Sequence, residues 1–165
     1  MRVFAISGYS GTGKTALIAA LIERLKKKGY SVSTVKSSKE DSMPPEGSDT
    51  WKHLKAGSRM SILQGPSSTT IRFKERISLS KTLQFYDSDF LLVEGMKGVV
   101  MPRFWCVGDE ALEEAPAPGT VAVVAWKKPA TTWNKIGVPV LLSDDLDSLV
   151  RVVEREALDV SSLVL

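Results

Sequence analysis

One run of eight residues, Gly8-Tyr9-Ser10-Gly11-Thr12-Gly13-Lys14-Thr15, constrains this chain more than any other feature, because its flanks are as ordered as its glycines. Before it, Arg2 to Ser7 is a short apolar stretch that predicts a strand. After it, Leu17, Ile18, Leu21, Ile22 and Leu25 recur at helical spacing and Gly29 supplies a stop. A second predicted strand, Ser31 to Lys36, comes directly after. Strand, glycine loop, helix and strand in that order make a parallel pair with a right-handed crossover, which sets the class as α/β.

The run fits G-x-x-x-x-G-K-[ST] in full, and it sits between a strand and a helix as the chemistry requires. Glycines allow successive backbone N–H groups to curl around phosphate oxygens, and the helix start adds the positive end of its dipole. Gly8, Ser10, Gly11, Thr12, Gly13, Lys14, Thr15 and Ala16 are therefore the candidate nucleotide-binding residues. Lys14 is the candidate catalytic residue, a cation between the β- and γ-phosphates, and the Thr15 hydroxyl is a candidate magnesium ligand. The second half of the site is read from Asp89-Phe90-Leu91-Leu92-Val93-Glu94-Gly95, an apolar strand ending in an acid. Glu94 is the other candidate Mg2+ ligand, directly or through water, and Asp89, at the strand's other end, is passed over.

Elsewhere the pattern gives elements but little chemistry. Ser37 to Ser48, with Pro44, Pro45 and Gly47, reads as an exposed loop, and Ser48 as the cap of a helix running to Ala56. Strands are expected at Ser58 to Leu63, Thr69 to Phe73, Arg103 to Val107, Thr120 to Trp126 and Val138 to Leu142. Ser78 to Tyr86 reads as helix, and Ser143 or Asp144 as the cap of a last helix with Leu146, Leu149, Val150 and Val153 facing inward. The expected architecture is an α/β three-layer sandwich with a mostly parallel central sheet, in one domain spanning 1–165.

Composition narrows the function classes. With 165 residues, one cysteine (Cys106) and one histidine (His53), the chain offers neither a disulfide nor a Cys/His zinc set. A net charge of +3 suits a polyanionic ligand but is too small and dispersed to point to nucleic acid. No run approaches the roughly 18 apolar residues of a membrane span, so the expected location is cytoplasmic. Trp51, Trp105, Trp126 and Trp133 are read as core or interface anchors, and Asp49 and His53, four apart, as one helix face.

Several of these segments together resemble the molybdopterin-guanine dinucleotide biosynthesis protein B (MobB) family of P-loop GTP-binding proteins. The resemblance is carried by the 8–15 loop, by Lys26-Lys27-Lys28-Gly29-Tyr30 through Thr34-Val35-Lys36, and by Gly47-Ser48-Asp49-Thr50-Trp51-Lys52-His53 with Ala56-Gly57. Asp89 to Lys97 and the pair Pro102-Arg103 complete it, so it covers residues 1 to about 105. It implies a cytoplasmic homodimer that binds GTP and Mg2+, hydrolyses GTP slowly, and assists a guanylyltransferase of molybdenum-cofactor biosynthesis. This chain departs from the family pattern in two places. Ser37, Ser38, Lys39 and Glu40 stand where histidines usually come after the strand lysine, and Trp126-Lys127-Lys128 stands beyond the late strand where a guanine-reading aspartate is common. Asp144 or Asp145 is the candidate for that guanine-reading acid, or equally an acid at the start of the last helix. The competing reading is an ATP-dependent small-molecule kinase, for which the same loop would serve, and ATP is therefore retained beside GTP.

Overall fold

The computed structural model describes residues 1–108, 116–127 and 137–163, and its contacts divide the chain into two compact units, 1–37 with 86–165, and Ser38–Phe85. Lys128 and Trp133 lie outside the described residues. In chain order the elements are β1 (Arg2–Gly8), α1 (Lys14–Lys27), β2 (Val32–Lys36), α2 (Asp49–Lys55), β3 (Met60–Gln64), β4 (Thr69–Phe73) and α3 (Leu79–Leu83). Then come β5 (Phe90–Glu94), β6 (Arg103–Val107), β7 (Thr120–Ala125), β8 (Val140–Leu142), α4 (Leu146–Glu156) and β9 (Leu158–Asp159).

The first unit is a sheet in the order β2-β5-β1-β6-β7-β8, parallel along that whole path, with the short β9 antiparallel against the start of β1. This is the mostly parallel α/β sheet that the sequence predicts. Its central strands are apolar on both faces, as parallel strands must be when crossovers cover them; Val3 to Ile6 and Phe90 to Val93 are fully buried. Phe4, Ile6, Phe90, Leu92, Phe104, Cys106, Ala122 and Val124 form one core with Leu17, Ile18, Leu21 and Leu25 of α1 and Leu149, Val150 and Val153 of α4. Truncating a fully buried leucine here, Leu21→Ala for instance, costs about 2–5 kcal/mol. On the other core, Trp105, Val107, Val123 and Ala125 pack with Ala117, Val138 and Val140.

Strand register decides which side chains and loops meet at the end of the sheet. Lys36 and Glu94 are partners at the ends of β2 and β5, and Ile6 of β1 is opposite Glu94. All three strands therefore deliver their carboxyl ends, and the loops beyond them, to one edge of the sheet. Since β1 lies between β5 and β6, the chain crosses it on the way from one half of the sheet to the other, and such a switch point opens a crevice at that edge.

The second unit pairs β3 with β4 in an antiparallel ladder, Met60 opposite Phe73 through Gln64 opposite Thr69. Thr69 to Phe73, which has no evident place in the parallel sheet from sequence, thus has an intrachain partner. Ser48 caps α2 as expected, accepting from the Trp51 amide at 3.3 Å. Two helical expectations need correction. The helix after Ser78 ends at Leu83 rather than Tyr86, whose hydroxyl instead donates to the Thr34 carbonyl at 2.9 Å. The last helix is capped by Asp145, not Ser143 or Asp144; its carboxylate accepts from the Ser148 amide at 3.1 Å.

Candidate functional site

β1 ends at Gly8 (φ 146°), and the loop returns to α1 through Gly11 (φ 76°) and Gly13 (φ 72°). Two of these glycines are required by space as well as by conformation. A Cβ on Gly8 would stand 2.3 Å from the Cys106 carbonyl oxygen, and one on Gly13 would stand 1.9 Å from Cζ2 of Trp126. Thr12, almost fully buried, closes the loop internally by donating to the Tyr9 carbonyl at 2.9 Å. Ser10, Gly11, Thr15 and Ala16 are exposed.

Gly13 provides no side-chain cap to α1, and the first turn contains no acid. The initial amides of a helix have no intrahelical acceptor, so the Lys14, Thr15 and Ala16 region presents N–H groups and a positive dipole end without a protein carboxylate to meet them. Lys14 adds a further cation there; its ammonium reaches back to the Tyr9 carbonyl. An anion with several oxygens satisfies this arrangement, which is the chemistry of a phosphate chain.

Glu94 stands beside it. The Thr15 hydroxyl donates to Glu94 Oε1 at 3.1 Å, and Lys36 Nζ approaches the same oxygen at 3.2 Å. The sequence-predicted pair Thr15 and Glu94 is thus in contact, and Lys36 is a neighbour that the sequence pattern does not assign. One carboxylate and one hydroxyl suit a magnesium ion that keeps waters and takes the rest of its ligands from phosphate. Among the described residues no group of three or more His, Cys, Asp or Glu side chains forms a self-sufficient metal cage. After Glu94 the backbone turns sharply: Gly95 (φ 89°) is followed by Met96 at φ 49°, a strained conformation for a non-glycine residue. Lys97 then stacks on Tyr9 and Trp105, 4.6 and 4.9 Å from their ring centroids, tying this turn to the glycine loop.

Other residues singled out by sequence fall elsewhere. The Asp89 carboxylate takes the Ser31 amide at 2.8 Å and hydroxyl at 2.7 Å, which holds it below the usual aspartate range. Burial pushes the Cys106 thiol up to about 12, so it stays protonated in the core, as expected of a small core residue. Asp49 and His53 are exposed on α2 in the 38–85 unit. Trp105 is buried in the core, but Trp126 is not: it is 45% exposed and its Nε1 donates to the Thr12 carbonyl at 3.0 Å. It is thus not a core anchor but a residue seated on the glycine loop. Only an aromatic directly after a strand end hinted at it, because β6 separates β7 from β1 in the sheet.

Comparison with known proteins gives this geometry a family. Residues 3–126 match the family described as "Molybdopterin guanine dinucleotide synthesis protein B" (MobB). The chain belongs to the MobB family. A molybdopterin-guanine dinucleotide biosynthesis adapter protein of Haemophilus influenzae is 32% identical over 120 residues, 69% of this chain and 67% of that protein. A probable adapter protein of the same biosynthesis from Bacillus subtilis is 26% identical over 150 residues, 87% of this chain and 86% of its relative. A putative one from Methanocaldococcus jannaschii is 34% identical over 101 residues, 59% of this chain but only 42% of the longer relative. The fold is that of solved MobB structures: a crystal structure of Bacillus subtilis MobB superposes with a TM-score of 0.77 at 23% identity, covering 95% of this chain and 98% of the other.

Proposed function

We propose that this MobB-family chain is a GTP-binding adapter of molybdopterin guanine dinucleotide, and hence molybdenum-cofactor, biosynthesis, cycling slowly between triphosphate and diphosphate states. The observation that carries the reading is the contact of Thr15 with Glu94 beside an uncapped, acid-free helix start. In this reading the loop amides and Lys14 bind the β- and γ-phosphates, while Thr15 and Glu94 hold Mg2+, which neutralises phosphate charge when bound. Lys36 pairs with the Glu94 carboxylate at 3.2 Å along the sheet edge. The partner is a guanylyltransferase of the same pathway, the setting is cytoplasmic, and no described helix is long and apolar enough to cross a membrane.

Slow hydrolysis is supported by where the cations are spent. In the sheet-bearing unit Arg2 stacks on Phe90, Arg24 pairs with Asp147, Arg151 bonds Ser148 and Arg155 pairs with Glu156. Arg103 is fully buried, donating to Ser7 Oγ at 3.2 Å and to the Met101 and Val99 carbonyls. Arg103 is thus committed to the core and the other four each have a partner within this unit, whereas an arginine finger on the γ-phosphate is worth about 10³–10⁵ in rate. A homodimer is the second part of the proposal: Met60, Ile62, Leu63 and Ile71 on the β3–β4 hairpin are exposed apolar residues suited to two-fold association.

Titration of GTP, ATP and their diphosphates, with and without magnesium, tests the site. Tight, magnesium-dependent GTP binding is expected. Light scattering at micromolar concentration should give twice the chain mass, and a monomer there removes the dimer. Turnover of several per second by the isolated protein, with ATP and a small acceptor, would replace the adapter with the kinase reading.

A further inference from the structure

We infer that Trp126 is the platform on which the base of the bound nucleotide stacks, an assignment that rests on the proposed phosphate loop and extends it from the phosphates to the nucleoside. β1, β6 and β7 run parallel, so Trp126, the residue after Ala125, emerges on the same sheet edge as the glycine loop. There it is held at two points. Nε1 donates to the Thr12 carbonyl at 3.0 Å, and the indole edge, Cζ2 with Cε2 and Nε1, lies over the space where Gly13 lacks a side chain. Replacing Gly13 by any other residue would put a Cβ within 1.9 Å of that ring.

A large aromatic fixed this firmly is normally being buried, yet 45% of Trp126 remains exposed. Among the described residues the other exposed aromatic beside the loop is Tyr9, and its ring is already taken by Lys97 and by the edge of Trp105. Trp126 thus offers what a nucleoside needs next to a phosphate cradle: a preorganised flat apolar surface whose orientation is set before the ligand arrives. Base stacking on an aromatic face is tolerant of base identity, since every base has a π-face. The indole N–H is spent on Thr12, which leaves the ring no hydrogen bond with which to read a purine edge. The platform therefore contributes affinity for guanine and adenine nucleotides alike, and any preference for guanine comes from other groups.

Trp126→Phe and Trp126→Leu provide the test, because both lose the N–H to Thr12 and both keep an apolar group against Gly13. Only phenylalanine retains an aromatic face. Calorimetric titration with GTP, ATP and inorganic tripolyphosphate, each with magnesium, should show the leucine variant weaker than the phenylalanine variant by about 5- to 100-fold for both nucleotides. Tripolyphosphate should bind the two variants within about twofold. Equal nucleotide affinities in the two variants would overturn the platform. Tripolyphosphate binding that falls in step with nucleotide binding would also overturn it, making Trp126 a clamp on the loop. If the unaltered protein binds neither tripolyphosphate nor nucleotide, the phosphate-loop reading fails first and takes the platform with it.

Discussion

Two helices lie side by side on one face of the sheet and begin in opposite ways. α4 supplies its own anion: Asp145 caps it and Asp147 lies in its first turn. α1 begins at a left-handed glycine with no side-chain cap and places Lys14, a cation, at the positive end of its dipole. For stability alone the second arrangement is the poorer one, since an acid near a helix start contributes about 0.3–1 kcal/mol and a lysine there opposes the dipole. The difference separates two uses of the same backbone geometry. One terminus is complete within the fold, and the other has neither a side-chain cap nor an acid of its own.

The largest effect expected from this contrast is at Lys14. Lys14→Ala should lower triphosphate affinity by about 10- to 100-fold, because a hydrogen bond to a charged group is worth about 1.5–3 kcal/mol. The same change should leave the melting temperature equal or slightly higher, since it removes a cation from the dipole's positive end. Opposite signs for binding and stability are what an externally completed terminus requires. Parallel losses of both, measured by titration and thermal melting, would make Lys14 a structural residue and erase the contrast with α4.

A smaller effect is expected at Glu94. Glu94→Gln keeps the Thr15 contact sterically possible but removes the charge that Lys36 and a magnesium ion would share. Magnesium enhancement of nucleotide binding should drop by about tenfold or more, while metal-free affinity changes little. Unaltered magnesium dependence would assign the metal elsewhere. Because Lys36 is 59% exposed, loss of its ion pair should hardly alter stability, and a large fall in melting temperature would contradict the site as described.

Legibility in the sequence tracks the range of the interactions involved. The glycine loop and α1 were legible because pattern, flanks and helical periodicity all lie within thirty residues. Thr15 and Glu94 were legible as chemistry, one by motif and one as an acid ending a buried strand, but their contact depends on β5 lying beside β1 across most of the chain. The placing of Lys36 on Glu94 was hidden for the same reason: it comes from the β2–β5 register, although both residues end expected strands. The seat of Trp126 was hidden because its partner is a missing side chain, the bare backbone of Gly13, reached across β6. Arg103 opens a predicted strand, and nothing local shows that the 95–102 turn buries it against Ser7. The hairpin partner of Thr69 to Phe73 lay only a turn upstream, before Gly65-Pro66, and the strand periodicity of Met60 to Gln64 would have found it.

The smallest effect distinguishes the two helix starts by pH. Asp145 is held below the ordinary aspartate value of 3.8, first by its side-chain hydrogen bond with Ser148, then by the Ser148 amide. A depressed value in the folded state means that the unfolded chain binds the proton more readily. The carboxylate's contribution is therefore fully present above the unfolded value and is lost as pH falls through the folded one. Asn is as good a helix cap as Asp but does not titrate in this range. Asp145→Asn should accordingly leave the melting temperature at pH 7 within a few degrees of the parent and reduce its fall between about pH 5 and pH 3. Asp89 and Asp159, similarly depressed through Ser31 and Ser161, remain, so the acid sensitivity should shrink rather than vanish. Nucleotide affinity at pH 7 should not change, because this anion serves α4 alone. If Asp145→Asn instead alters GTP binding as strongly as Glu94→Gln does, Asp145 belongs to the ligand site, and the self-contained helix start is not self-contained after all.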